Sequence, residues 1–251
     1  MGILAFIVAD LCHEALGHGL TVLIVGGRPI QLTTTYFASS GSTSRWIPAS
    51  GGAANVLVGL LSLAALHVLR PRSAHWRYFM VLVAAFNLLF GAAYPAYSGL
   101  TLFGDWAGVI SGLEPAWLWR ILLVVFSVGG YLLSLSLVAA EMSPFCGSET
   151  PDALARIQRI TLIPYVAAIL ASCVAGALGP RGWTGVVTAA LPAPAAAFGL
   201  TQVDHFRQAR VLDAGNAPAG PITRILPWIL TTGAVLAFFV GVLGPGIAFK
   251  G

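Results

Sequence analysis

Gly2 to Gly26 read GILAFIVADLCHEALGHGLTVLIVG, and this stretch decides what kind of molecule the chain makes. A hydrocarbon core of about 30 Å needs about 20 apolar residues per helix, and both ends of the stretch are apolar enough to supply them. Its middle carries Asp10, His13, Glu14 and His18. A central acid costs roughly 2.5 to 3.5 kcal/mol on insertion scales, so the pair costs about 5 to 7 kcal/mol. The Leu, Ile, Val and Phe residues around them return roughly 4 to 7 kcal/mol. Insertion is close to balanced, so this helix must settle its polar groups inside a bundle, and ionisable groups at such depth point to function. The absence of a basic n-region and the acids at its centre argue against a cleaved signal peptide.

Working outward, 57% of the 251 residues are hydrophobic and 9% are charged, against roughly 25% charged in a soluble domain. Six further windows qualify as spans: 50 to 69, 78 to 98, 117 to 140, 160 to 178, 183 to 200 and 225 to 246. The expected fold is therefore an all-α polytopic membrane protein of about seven transmembrane helices. The net charge of +4 comes from scattered residues, twelve of the thirteen cations being Arg, so nucleic acid is not an expected partner. Cys12, Cys146 and Cys173 are far apart and lack CxxC spacing, which implies neither a disulfide framework nor a thiolate site.

Four segments in and between the spans carry further expectations. Ile30 to Phe37 (IQLTTTYF) favours a short strand with a turn after it. Tyr78 to Leu113 is too long for one span and too short for two with a connection. Gly91, Pro95, Gly99 and Gly104 suggest a broken or re-entrant element around 91 to 106. Pro151-Asp152 suggests the start of a short amphipathic helix reaching Ile160, and 214 to 221 (AGNAPAGP) reads as a flexible loop.

The chemistry lies in Asp10-Leu-Cys-His-Glu-Ala-Leu-Gly-His18. Imidazole is a preferred zinc ligand, zinc activates water near neutral pH, and a neighbouring Glu can carry that water's proton to a leaving amine. The usual zinc helix, HExxH, has its histidines at i and i+4 on one face. His13 and His18 are at i and i+5, about 140° apart on a regular helix. Two arrangements answer this. A π-bulge, helped by Gly17, brings His18 back beneath His13. Alternatively the helix stays regular, and Asp10, Glu14 and His18 form the polar stripe.

These residues resemble the site-2 protease family of intramembrane zinc metalloproteases. His13-Glu14 with Gly17-His18 looks like the family's HExGH lengthened by one residue. Ser50-Gly51-Gly52-Ala53-Ala54-Asn55 is similar to the glycine-rich, Asn-containing start of its second core helix. Asn87, Pro95 and Asp105-Trp106 look like the Asn, Pro and Asp-Gly pattern of its third, with Trp in place of Gly. The resemblance covers residues 3 to 112, and spans four to seven match no known pattern. It implies a zinc metalloprotease-like core over 1 to 113 with a short β element, and additional transmembrane helices over 114 to 251. His13, His18 and Asp105 would hold Zn2+, and Glu14 would be the catalytic general base. The β element would hold an unwound substrate, with Asn55, Thr34 and Tyr36 as substrate-binding residues. Tyr94, Tyr97 and Ser98 are read mainly as packing residues. The expected partners are the lipid bilayer and a transmembrane or membrane-associated protein substrate, and the expected location is the cell membrane.

Two other classes stay open. A catalytically inactive relative could keep the fold as a membrane binding protein, and a metal or proton transporter could use the same acids and histidines as a relay. Orientation has two conflicting indicators. Eight Arg residues lie on the face holding the N-terminus, against five basic residues on the other, which favours a cytoplasmic N-terminus. The family pattern instead puts the first interhelical loop and the third ligand toward the cytosol, and that orientation is adopted here.

Overall fold

The computed structural model describes residues 1–146, 151–208 and 225–249. Seven helices among them are long and apolar enough to cross a membrane. The first span, α1, runs Gly2–Ile24, with π-helical geometry over Cys12–Gly19. A hairpin follows, β1 Arg28–Leu32 and β2 Phe37–Ser40. Then come α2 Trp46–Leu69, α3 Ala74–Thr101, the short α4 Asp105–Ile110 and α5 Ala116–Cys146. After them lie α6 Pro151–Ala177, an irregular α7 Gly182–Phe206, α8 Leu226–Leu243 and a two-residue β3, Ile247–Ala248. The loop expected over 214 to 221 lies outside the described residues.

The helices carrying polar residues sit at the centre. Windows of α1 and α3 are 61% and 67% buried, whereas α5 and α8 are 22% and 11% buried and so form the lipid-facing rim. Their outward side chains, such as Phe126, Leu133 and Ile229, are apolar, as a bilayer requires. Phe6 of α1 meets Phe86 of α3 and Phe239 of α8 edge to face at 5.9 and 6.3 Å, fixing the three helices around one apolar core. Polar aromatic tips tie the rest. The Tyr78 hydroxyl donates to the Ile160 carbonyl at 2.7 Å, joining α3 to α6. That of Tyr131 donates to Ala196 at 2.9 Å, joining α5 to α7. Glycines set the closest approach. A Cβ on Gly17 would lie 2.6 Å from the Gly51 Cα, so α1 and α2 cross backbone to backbone.

One local expectation is narrowed, two need correction, and one further strand is present. The broken element expected around 91 to 106 has no break at Gly91 or Pro95, because α3 continues through Pro95 to Thr101. Pro95 deprives the helix of one hydrogen bond, at about 3 kcal/mol, and the packing of α3 against α1, α2 and α5 offsets that. The break falls within that range at Leu102 and Gly104, both with positive φ, and the short α4 follows. Ile30 to Phe37 is not one strand. The Thr33 hydroxyl accepts the backbone N–H groups of Thr35 and Tyr36 and donates to the Tyr36 carbonyl, making the turn between β1 and β2. Local side-chain to backbone bonding has overridden the β propensity of the Thr run. The helix beginning at Pro151 does not end at Ile160 but runs on to Ala177 as the fifth span. Finally, β3 pairs with β1 at Gln31 and Leu32, giving a sheet in the order β2-β1-β3.

Candidate metal centre and adjoining cavities

The π-helical turns over Cys12–Gly19 settle the spacing question for this structure in favour of the bulge. The extra residue is absorbed between His13 and His18, whose rings meet edge to face at 4.9 Å. His13 Nε2 lies 2.9 Å and His18 Nε2 3.1 Å from one oxygen, Asp105 Oδ2. The ligand atoms of the three residues all lie within 4.8 Å of one another. Two glycines make room. Gly104 turns the chain into α4, so that Asp105 is presented back toward α1. Gly51 leaves open the space in front of the rings, since a Cβ there would fall 2.7 Å from both Nε2 atoms.

The other nitrogen of each ring fixes the proton inventory. His13 Nδ1 donates to Asn55 Oδ1 at 2.7 Å, and His18 Nδ1 donates to the Ile47 carbonyl at 2.6 Å. The Asn55 amide in turn donates to the Ala9 carbonyl and to Asn87 Oδ1, while the Asn87 amide donates to the Val83 carbonyl. This network leaves Asn55 Oδ1 as the acceptor for His13. In neutral rings the Nε2 atoms therefore carry lone pairs, and three acceptors converge on one point. Only a cation reconciles them, either added protons or a metal. Tetrahedral zinc would hold its N and O ligands about 3.3 Å apart, within a few tenths of an ångström of the observed separations. Imidazole ligands anchored through their second nitrogen are the usual arrangement around such an ion. The residues thus fit Zn2+. Where the reconciling cation is protons on the rings, their hydrogen bonds to Asp105 outweigh burial, which alone would raise the carboxyl, and hold it well below the usual carboxylate range.

Glu14 follows His13 and is buried, and its Oε2 has no hydrogen-bond partner. Two cavities meet at this carboxylate. One, of about 320 Å³, holds His13, His18 and Asp105 in its wall and reaches Tyr36, Phe37 and Arg181. The other, of about 290 Å³, runs past Glu14 toward Asp10 and Thr34 between Phe90, Tyr97 and Ala193. Tyr94 lines both. Its hydroxyl accepts the Asp105 N–H at 3.3 Å, which leaves its own proton free to donate into the cavity.

The sequence-predicted residues separate into two groups. His13, Glu14, His18 and Asp105 come together, and Thr34 and Tyr36 line the adjoining cavities. Tyr36 donates to Gln31 Oε1, and its ring lies under the Arg181 guanidinium at 4.0 Å. Asn55 does not reach substrate space: it is fully buried and its polar atoms are spent on His13, Ala9 and Asn87, so it orients a ring instead. Tyr94 and Tyr97, read mainly as packing residues, are wall residues. Thr188 and Ala189, in π-helical turns of α7, close both cavities from a span that matched no pattern. Trp106, where the resemblance has Gly, lies against Gly52. No family model, curated protein or solved structure matches the chain.

Proposed function

We propose that the chain is an intramembrane zinc-dependent endopeptidase acting on membrane-embedded or membrane-proximal peptide bonds. The observation that carries this reading is the convergence of three acceptors, His13 Nε2, His18 Nε2 and Asp105 Oδ2, beside the unpartnered Glu14 Oε2 at the meeting of two cavities. Zinc held by those three atoms would supply Lewis-acid activation of water and of the peptide carbonyl. Glu14 Oε2 takes a proton from the attacking water and returns it to the leaving amine. The Tyr94 hydroxyl donates to the carbonyl oxygen as negative charge develops there. Asn55 and the Ile47 carbonyl keep both imidazoles in the tautomer that leaves Nε2 free.

A peptide bond inside a helix is closed to attack, so the substrate has to be extended. β1 is flanked on both sides, which leaves β2 with an outer edge free to add a strand. Phe37, the first residue of β2, lines the cavity that holds the ligands, so a strand added there would run toward Glu14. The transporter reading has less support. A relay needs charged or readily titrating groups along a path, and the buried Asp, Glu and His side chains among the described residues are Asp10, His13, Glu14 and His18, all in α1. The inactive-relative reading rested on the extra residue, which the π-helical turns absorb.

The test is cleavage of a panel of single-span reporter helices co-reconstituted in liposomes with the purified protein. The wild type should cut at least one reporter, and both zinc removal and Glu14→Gln should stop it. Cutting that survives both would overturn the proposal.

A further inference from the structure

Asp10 takes no part in the chemistry proposed above, yet it is 6% exposed in the middle of a membrane span. It lies in the wall of the 290 Å³ cavity, one helical turn before Glu14, which bounds the same space. Among the described residues no Lys or Arg lines this cavity, since Arg181 belongs to the outer one. The lining is largely apolar, with Phe90, Ala93, Pro192 and Ala193 beside the rings of Tyr94 and Tyr97, while His13, Thr35 and Thr188 add polar atoms to it. A further acceptor, Thr34 Oγ1, is buried in the same wall without a hydrogen-bond partner. A largely apolar cavity with a carboxylate and an unpartnered hydroxyl in its wall is complementary to an apolar stem ending in a cation.

Resting on the protease reading, we infer that this cavity is the specificity pocket for a basic side chain, Lys or Arg, next to the bond that is cut. Length supports the assignment. Asp10 and Glu14 are four residues apart on α1, about 6 Å along the axis at the α-helical rise and somewhat less through the start of the π-helical turns. The five bonds from Cα to the amine of an extended Lys span about the same distance. A backbone held for attack at Glu14 therefore delivers the amine of that side chain to Asp10. Thr34 Oγ1 adds a second acceptor, which an ammonium with three donors or a guanidinium with five can use.

The experiment measures binding to zinc-loaded, detergent-solubilised protein by calorimetry, so no natural substrate is needed. The probes are Nα-acetyl-lysine hydroxamate and Nα-acetyl-norleucine hydroxamate, which share the metal-chelating group and differ at the end of the side chain. The wild type should bind the lysine probe at least about tenfold more tightly, as a charge-assisted hydrogen bond confers. Asp10→Asn, nearly isosteric, should abolish that preference while keeping its zinc and its affinity for the norleucine probe. Equal binding of both probes by the wild type, or a lysine preference that survives Asp10→Asn, would overturn the pocket and leave the metal site standing. If neither probe binds the zinc-loaded wild type, pocket and protease reading fall together.

Discussion

One added carbon separates the site from the fold at Gly51 and Gly17. A Cβ at residue 51 would fall 2.7 Å from His13 Nε2 and His18 Nε2, which are the ends of movable side chains. Gly51→Ala should therefore fold and lose zinc affinity by at least about tenfold, as read by metal titration. A Cβ at residue 17 would instead meet the backbone of Gly51 at 2.6 Å, and two helices cannot both yield. Gly17→Ala should lower the thermal midpoint in detergent, whether or not zinc is present. Asn55→Ala should fold and weaken zinc about 10- to 100-fold by freeing the His13 ring. At this scale the sequence was legible where the chemistry lay in one helix: His13, Glu14 and His18 are mutually diagnostic within six residues. Asp105 was reachable only through the resemblance, because nothing local ties it to α1. The role of Asn55 and the placement of Tyr94 were not legible, since an amide or a phenol in an apolar helix is ordinarily packing, and its direction is set by neighbouring helices.

At the scale of elements, the π-helical segment is an insertion whose flanks keep their helical phase. Leu16, which points outward and is 54% exposed, occupies its outer side. Deleting Leu16 should leave His-Glu-Ala-Gly-His on a regular helix, with both ends of α1 still facing the same neighbours. That variant is expected to bind zinc and to be at least as stable as the wild type. Metal analysis and thermal unfolding check it, and loss of both zinc and fold would mean that the π turns set the geometry of α1 as a whole. The span pattern was legible because the later windows are apolar along their length and the first is apolar at both ends. The boundaries were not, for two reasons. Pro48 sits in the first turn of α2, where its missing N–H costs nothing, so the helix begins before the apolar window. Pro95 suggested a break that the surrounding helices suppress. The hairpin was half legible: strand propensity was present, but Thr33 uses its hydroxyl for a turn that periodicity does not encode.

At the scale of the whole molecule, the later spans complete the site. α7 supplies Thr188, Ala189 and Ala193 to the cavities, so the candidate site draws on a span beyond residue 113. No pattern marked them, because small residues lining a cavity read like small residues packing helices. The first loop and α4 lie on one side, joined by Arg45 donating to the Ser111 carbonyl at 2.8 Å. In the adopted orientation that side is cytosolic. A single cysteine at Ser42 should then resist an impermeant thiol reagent added to intact cells and react once the membrane is opened. Labelling from outside would reverse the topology, in line with the Arg count.

The central claim is that α1 and α4 together hold a metal ion, and metal analysis of purified protein tests it most directly. Wild type should carry one zinc per chain, Asp10→Ala the same, and His13→Ala, His18→Ala and Asp105→Ala far less, all with unchanged helical content. Zinc retained by His13→Ala but lost from Asp10→Ala would contradict the account and put the metal on the Asp10, Glu14 and His18 stripe of a regular helix.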